Sequence, residues 1–256
     1  MASESTKGLR VIAHRGASGY APETTLEAYR LALQMGVDGI EMDVHRLRDG
    51  VIVAIHDPEV NRTTNGKGRI SELTLAELKT LDAGSWFNRA FPEKARQEYA
   101  GLRVPTLQEI IDLTKESPVE LHIEIKNPER YPPDLETILL SLIYSNRMET
   151  RVRFLSFSSQ SLRKIKTLDS SIRTALLISD SGVDPVGSAS QIAADELALR
   201  HNLATAAIID GAHKSGLSVS VWTVDKEAHL RRMIRLGVDG IITNYPDRLN
   251  LLLGRK

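Results

Sequence analysis

Residues 37–58 read VDGIEMDVHRLRDGVIVAIHDP. Taken as a strand over 38–45, this stretch turns Glu41, Asp43 and His45 to one face and Ile40, Met42 and Val44 to the other, because side chains alternate along extended backbone. A second apolar run, 51–55, follows a turn at Asp49-Gly50 and ends in His56. In a parallel sheet covered by helices both faces are normally apolar. Two carboxylates on one buried face then require a compensating positive charge, since an unpaired buried carboxylate is very costly. A bound cation or a basic substrate clamp meets that requirement.

The rest of the chain supplies such a sheet. Apolar runs beginning near 9, 38, 119, 152, 172, 195, 217 and 238 alternate with helical patterns, among them 134–146, 159–167, 186–193, 204–215, 226–236 and 247–253. Strand and helix alternating in this way pair in parallel, and eight strands is the number that closes a barrel. The expected fold is an α/β, eight-stranded parallel TIM barrel spanning residues 1–256 as one domain. Residues 57–104 break the rhythm and read as a small insertion after the second barrel strand. Three capping boxes open helices: Thr24/Glu27, Thr74/Glu77 and Thr106/Glu109. Asn65-Gly66 reads as a hairpin turn, and the following Lys67-Gly68 lacks the spacing of a phosphate loop. One internal echo supports the barrel: Gly36-Val37-Asp38-Gly39-Ile40 recurs at Gly237-Val238-Asp239-Gly240-Ile241. Where the first copy continues to Glu41 and Asp43, the second has Ile242 and Asn244.

Composition removes several classes of function. The chain carries 33 basic and 33 acidic residues, a balance that points to neither nucleic acid nor an anionic membrane surface. It has no cysteine, hence no disulfide framework or thiolate chemistry. No stretch is long enough for a membrane span, and the polar start MASESTKG lacks the apolar run of a signal peptide. The expectation is a cytoplasmic protein; homodimerisation is left open.

In a barrel of this kind the site lies at the C-terminal ends of the strands. His14 and Arg15 end the first, Glu41 and Asp43 lie on the second, His56 follows, and Glu124 and Lys126 close the third. Three carboxylates from two strands can hold a hard divalent cation, with positions left for water and substrate oxygens. Arg15 and Lys126 beside it suit a phosphoryl group, and two histidines can supply a base and an acid. Asp57 either orients His56 or opens the turn before Pro58. Trp222 and Phe157 are candidates to line the cavity. The bland alternative makes Glu41 and Asp43 an ion-pair anchor; Glu124 and Lys126 arriving on a neighbouring strand end argues against it. His45 and His122 read as structural, His201, His213 and His229 as surface or packing residues. Glu120, at the far end of its strand, reads as a stabilising residue.

The ordered motifs His14-Arg15-Gly16, Pro22-Glu23, Glu41-Met42-Asp43-Val44, His56-Asp57, Arg62-Thr63-Thr64-Asn65-Gly66, Glu124-Ile125-Lys126, Val221-Trp222-Thr223-Val224 and Tyr245-Pro246-Asp247 resemble the glycerophosphodiester phosphodiesterase family. The resemblance runs from about Val11 to Asp247. It implies a divalent cation, Mg²⁺ or Ca²⁺, and hydrolysis of glycerophosphodiesters such as glycerophosphocholine or glycerophosphoethanolamine to sn-glycerol 3-phosphate and an alcohol. It further implies that Glu41, Asp43 and Glu124 bind the metal, that His14 and His56 form the acid/base pair, and that Arg15 and Lys126 hold the phosphate. One departure stands out: the family has Pro-Glu-Asn-Thr where this chain has Pro22-Glu23-Thr24-Thr25. A lysophospholipase D-type enzyme and a non-catalytic phosphodiester-binding barrel are the rival readings. The first expects an apolar segment for membrane-surface work, the second the loss of a histidine or carboxylate, and the sequence offers neither.

Overall fold

The computed structural model describes residues 8–126 and 134–255; the polar start, residues 1–7, lies outside them. Nine strands occur among the described residues: β1 (Arg10–His14), β2 (Gly39–Arg46), β3 (Ile52–Ala54), β4 (Glu120–Ile125), β5 (Val152–Ser156), β6 (Arg173–Ile178), β7 (Glu196–Arg200), β8 (Ser218–Trp222) and β9 (Gly240–Thr243). Eight of them form a closed parallel ring, because β1 pairs with β2 on one side and with β9 on the other. The expected eight-stranded barrel is therefore present. The ninth strand, β3, lies outside the ring, antiparallel to the far end of β2 with Val44 opposite Ala54 and Arg46 opposite Ile52.

Ten α-helices accompany the strands among the described residues: α1 (Leu26–Gln34), α2 (Leu75–Leu78), α3 (Ser85–Ala90), α4 (Leu107–Thr114), α5 (Leu135–Ser145), α6 (Ser159–Leu168), α7 (Pro185–Gln191), α8 (Ala206–Lys214), α9 (Glu227–Leu236) and α10 (Pro246–Leu252). The main core lies between ring and helices. Ile40, Met42 and Val44 of β2 and Leu121, Ile123 and Ile125 of β4 point outward into it, beside Tyr29 of α1 and Leu107 and Ile110 of α4. The alternate residues point inward, where Ile12, Leu155, Ala175, Leu177, Ala198 and Ile242 fill the barrel.

At the N-terminal end of the ring the inward positions are charged. Glu196 is fully buried and pairs with Arg10 and, at 3.4 Å, with Arg153. Glu120 meets Arg153 at 3.2 Å and Arg173 at 3.4 Å. This is the stabilising role expected of Glu120. His122 is fully buried beside it, Nε2 3.6 Å from Glu120, and burial lowers its pKa.

The capping boxes at Thr74/Glu77 and Thr106/Glu109 form as expected, each hydroxyl accepting from the N3 amide while the glutamate accepts from the cap amide. The first is corrected by one residue. Thr25, not Thr24, caps α1, its hydroxyl accepting from Ala28 N, and Glu27 closes no box. Thr24 instead takes a left-handed conformation, φ 57°, with its N–H donating to the Arg15 carbonyl. The Asn65-Gly66 hairpin turn is corrected too. A wide loop runs from Glu59 to Arg69, closed by a single antiparallel bridge, and the Asn65 side chain accepts from the Asp82 amide.

Between Pro58 and Pro105 the chain is short turns plus α2 and α3. One side of it, with Ile70 and Leu78, packs under β3 in a small cluster with Val53 and Ile55. The other side places Phe87 and Tyr99 against Ala28 of α1.

Candidate active site

The ring's register sets the site. In the parallel ladders His14 of β1 lies level with Glu41 of β2, and Asp43 of β2 lies level with Glu124 of β4. All four face inward at the C-terminal ends, where barrel sites are built. Immediately after β1 the chain turns through two left-handed residues, Arg15 (φ 55°) and Gly16 (φ 81°). A side chain on Gly16 would come within 2.7 Å of the Ala28 backbone, so only glycine fits. The strained turn at Arg15 aims its N–H at Glu41, 3.0 Å from Oε2.

Glu41, Asp43 and Glu124 are buried, and one oxygen from each lies within 4.8 Å of the others. Arg15 Nε stands 3.1 Å from Asp43 Oδ2, and Lys126 Nζ stands 3.0 Å from Asp43 Oδ1 and 2.7 Å from Glu124 Oε1. Burial alone would raise all three carboxyls. Arg15 and Lys126 overcome it at Asp43 and hold that group well below the usual range. Burial and the Asp43 charge push Glu41 well up, and bring Glu124 to about 7. Two cationic side chains thus leave three carboxylates under-neutralised. Both Asp43 oxygens and Glu124 Oε1, ion-paired but buried, meet no aligned hydrogen-bond donor. A cluster of carboxylate oxygens with spare lone pairs and excess negative charge fits a hard divalent cation.

Both histidines are held from behind by Nδ1. His14 Nδ1 lies 2.7 Å from Asn244 Oδ1, and its Nε2 lies 3.9 Å from Glu41. Burial and the Arg15 charge lower its pKa to about 4. His56 Nδ1 lies 2.6 Å from Asp57 Oδ1, so Asp57 does orient the ring. Burial lowers the His56 pKa as well, against the pull of Asp43. His45, expected to be structural, contacts the His56 carbonyl through Nε2 at 3.1 Å. Behind this pair runs a bridge that the single-residue reading did not assemble: Arg62 binds Asp57 and Glu23, and Glu23 also accepts from Arg15 at 2.9 Å.

His14, Arg15, Glu41, His56, Glu124 and Lys126 open on one cavity of about 230 Å³. Trp222 and Phe157 line its rim with their rings edge to face at 5.7 Å, and Trp222 Nε1 donates to the Ala198 carbonyl. A second cavity of about 290 Å³ shares His14 and Arg15 and is walled by Trp86, Phe91 and Lys94. Asp43 does not line either cavity but joins the group through its ion pairs with Arg15 and Lys126.

Residues 14–248 match the model of the glycerophosphoryl diester phosphodiesterase family. The chain belongs to this family. It is 37% identical to a glycerophosphodiester phosphodiesterase of Bacillus subtilis, over 92% of this chain and 83% of the relative. It is 38% identical to one from Caldanaerobacter subterraneus, over 93% and 95%. Among solved structures, an Oleispira antarctica phosphodiesterase in complex with the product sn-glycerol-3-phosphate superposes with a TM-score of 0.86 at 29% identity, covering 98% of this chain and 99% of that one. A glycerophosphodiester phosphodiesterase of Agrobacterium tumefaciens does so with 0.81 at 28%, covering 95% and 99%. As a family member the chain is a phosphoric diester hydrolase. No helix among the described residues is long and apolar enough to cross a membrane.

Proposed function

We propose that this chain, acting as one catalytic unit, hydrolyses small glycerophosphodiesters to sn-glycerol 3-phosphate and an alcohol with the help of one divalent cation. The observation that carries the reading is the buried triad Glu41, Asp43 and Glu124 beside two histidines whose Nδ1 atoms are both engaged. The triad would hold Mg²⁺ or Ca²⁺, which when bound supplies charge neutralisation and Lewis-acid polarisation at a phosphoryl oxygen. Arg15 and Lys126 bind the non-bridging phosphate oxygens and stabilise the charge that develops there. One histidine takes the proton of the nucleophile; as the P–O bond to the alcohol breaks, the other gives its proton to the departing alkoxide. The nucleophile is water or the glycerol 2-hydroxyl, and a substrate lacking that hydroxyl separates the two. Trp222 and Phe157 give the organic part of the substrate an apolar wall.

The test is release of glycerol 3-phosphate from glycerophosphocholine, with and without chelator, by wild type and His56→Ala. Release that needs the cation and falls by roughly 10²–10⁴-fold in the variant is expected, the scale of one general acid–base group. Turnover of lysophosphatidylcholine in preference would favour the lysophospholipase D reading, and no turnover of any diester with metal restored would overturn catalysis altogether.

A further inference from the structure

The contact behind His14 does not stop at Asn244. Asn244 Nδ2 lies 2.6 Å from Asp225 Oδ2, and the Asn244 backbone N–H donates to Asp225 Oδ1 at 2.9 Å, joined there by the Thr243 hydroxyl at 3.1 Å. Ser18 Oγ lies 2.7 Å from both Asn244 Oδ1 and the His14 carbonyl, and its one hydrogen can serve either. A primary amide has a donor end and an acceptor end, whereas an ionised carboxylate only accepts. With Oδ1 toward Asp225 the Asn244 amide would set two acceptors against each other. With Nδ2 toward Asp225 its oxygen faces His14, and His14 Nδ1 must then carry the hydrogen. Neither Ser18 nor His14 decides this. Ser18 is equally satisfied by a flipped amide, accepting from it while donating to the His14 carbonyl, and a neutral imidazole can take either tautomer.

We propose that Asp225 and Asn244 are positioning residues that fix His14 in the Nδ1–H tautomer, so that Nε2 meets the reacting groups with a lone pair and serves as proton acceptor. The inference rests on the phosphodiesterase reading for its catalytic meaning, but the tautomer itself can be read without turnover. Asn244 follows the last barrel strand, β9, directly; in the repeated Gly-Val-Asp-Gly-Ile motif it holds the place that Asp43 holds on β2, and β9 pairs with β1 to close the ring. The repeated scaffold thus uses this position once for the acid cluster and once for the histidine's support.

Asp225→Asn removes the deciding group while keeping size. Its oxygen still accepts from the Asn244 backbone N–H and the Thr243 hydroxyl, which sets its NH₂ against the side-chain NH₂ of Asn244 and drives that side-chain amide to flip. His14 is then forced to the Nε2–H tautomer. The exchange Asp225→Asn/Asn244→Asp restores an acceptor behind His14 with a donor behind that acceptor. The measurement is ¹H–¹⁵N NMR of histidine-labelled protein, with His14 assigned by its loss in His14→Gln, alongside steady-state kinetics. Expected are Nδ1–H in wild type, Nε2–H in Asp225→Asn with kcat down by roughly 10²-fold and KM little changed, and recovery of both tautomer and at least tenfold of kcat in the exchange variant. Nε2–H in the wild type would overturn the proposal even where a variant fails to fold. So would an unchanged tautomer or unchanged kcat in Asp225→Asn. A wild type that holds Nδ1–H but turns over no diester would instead fault the functional reading and leave the tautomer lock in place.

Discussion

Glu196→Gln isolates what the charged layer at the N-terminal end of the barrel contributes. Glu196 is fully buried and receives Arg10, Arg153 at 3.4 Å, and the hydroxyls of Ser218 and Ser220 at 3.0 and 2.6 Å. The amide keeps the shape and part of the hydrogen bonding but leaves Glu120 alone with three arginines. Breaking a buried pair by neutralising one partner costs about 3–5 kcal/mol, because the other charge stays buried. Arg10 and Arg153 keep Glu120 at 3.8 and 3.2 Å, which favours the lower end of that range. About 3 kcal/mol corresponds to a melting temperature lower by roughly 6–12 °C for a chain of this size. The pH dependence has a definite sign. Burial would raise the Glu196 carboxyl, but Arg10 and Arg153 hold it far below the usual value when folded. Its stabilisation is therefore full above the unfolded value of about 4.3 and is lost as pH falls below it toward the folded value. Urea unfolding of wild type and variant at pH 7, 5 and 3 checks both points. The two should differ by about 3 kcal/mol at pH 7, with similar m-values, and converge toward pH 3. A gap under about 1 kcal/mol at pH 7, or one that stays constant to pH 3, would refute the reasoning. Turnover below both melting points should change less than about twofold, because this end of a barrel serves stability.

Two further outcomes follow from single side chains. Thr24→Asn should raise stability by about 1 kcal/mol, since a β-branched residue is poorly suited to the left-handed region that asparagine tolerates; an unchanged melting curve would mean no strain is stored there. Trp222→Ala should lower kcat/KM by about tenfold by removing the cavity wall, whereas Phe157→Ala, half exposed, should lower it by less than about threefold. Equal losses in the two variants would contradict the ranking.

The ring was legible because its strands are apolar runs with fixed spacing, and the acids because Glu41 and Asp43 share an alternation phase that a buried strand rarely gives to charge. The Thr74 and Thr106 boxes were legible because both partners lie within one turn. Thr24 was misplaced because its backbone is bent by a bond to the Arg15 carbonyl, a contact between segments that local pattern does not encode. Asn65-Gly66 misled for a related reason: the asparagine side chain is engaged by the Asp82 amide, a segment away. The support behind His14 was hidden more deeply. Asp225 and Asn244 look like ordinary loop polar residues, and only the echo of the Asp43 position at Asn244 marked the place.

The hairpin of β2 and β3 works as a ruler. His56 is the one member of the proposed acid/base pair that the ring does not carry; its place is measured out by the length of chain from Arg46 to Ile52 and by the pairing of Val44 with Ala54. Because strand faces alternate, one residue added to or taken from that short return would turn Val53 and Ile55 out of their cluster and swing His56 off the cavity. Beyond Pro58 no such count applies, since lengthening a surface loop adds little closure entropy. Insertions and deletions across descendants of this chain should therefore collect after His56 and spare the few residues before it.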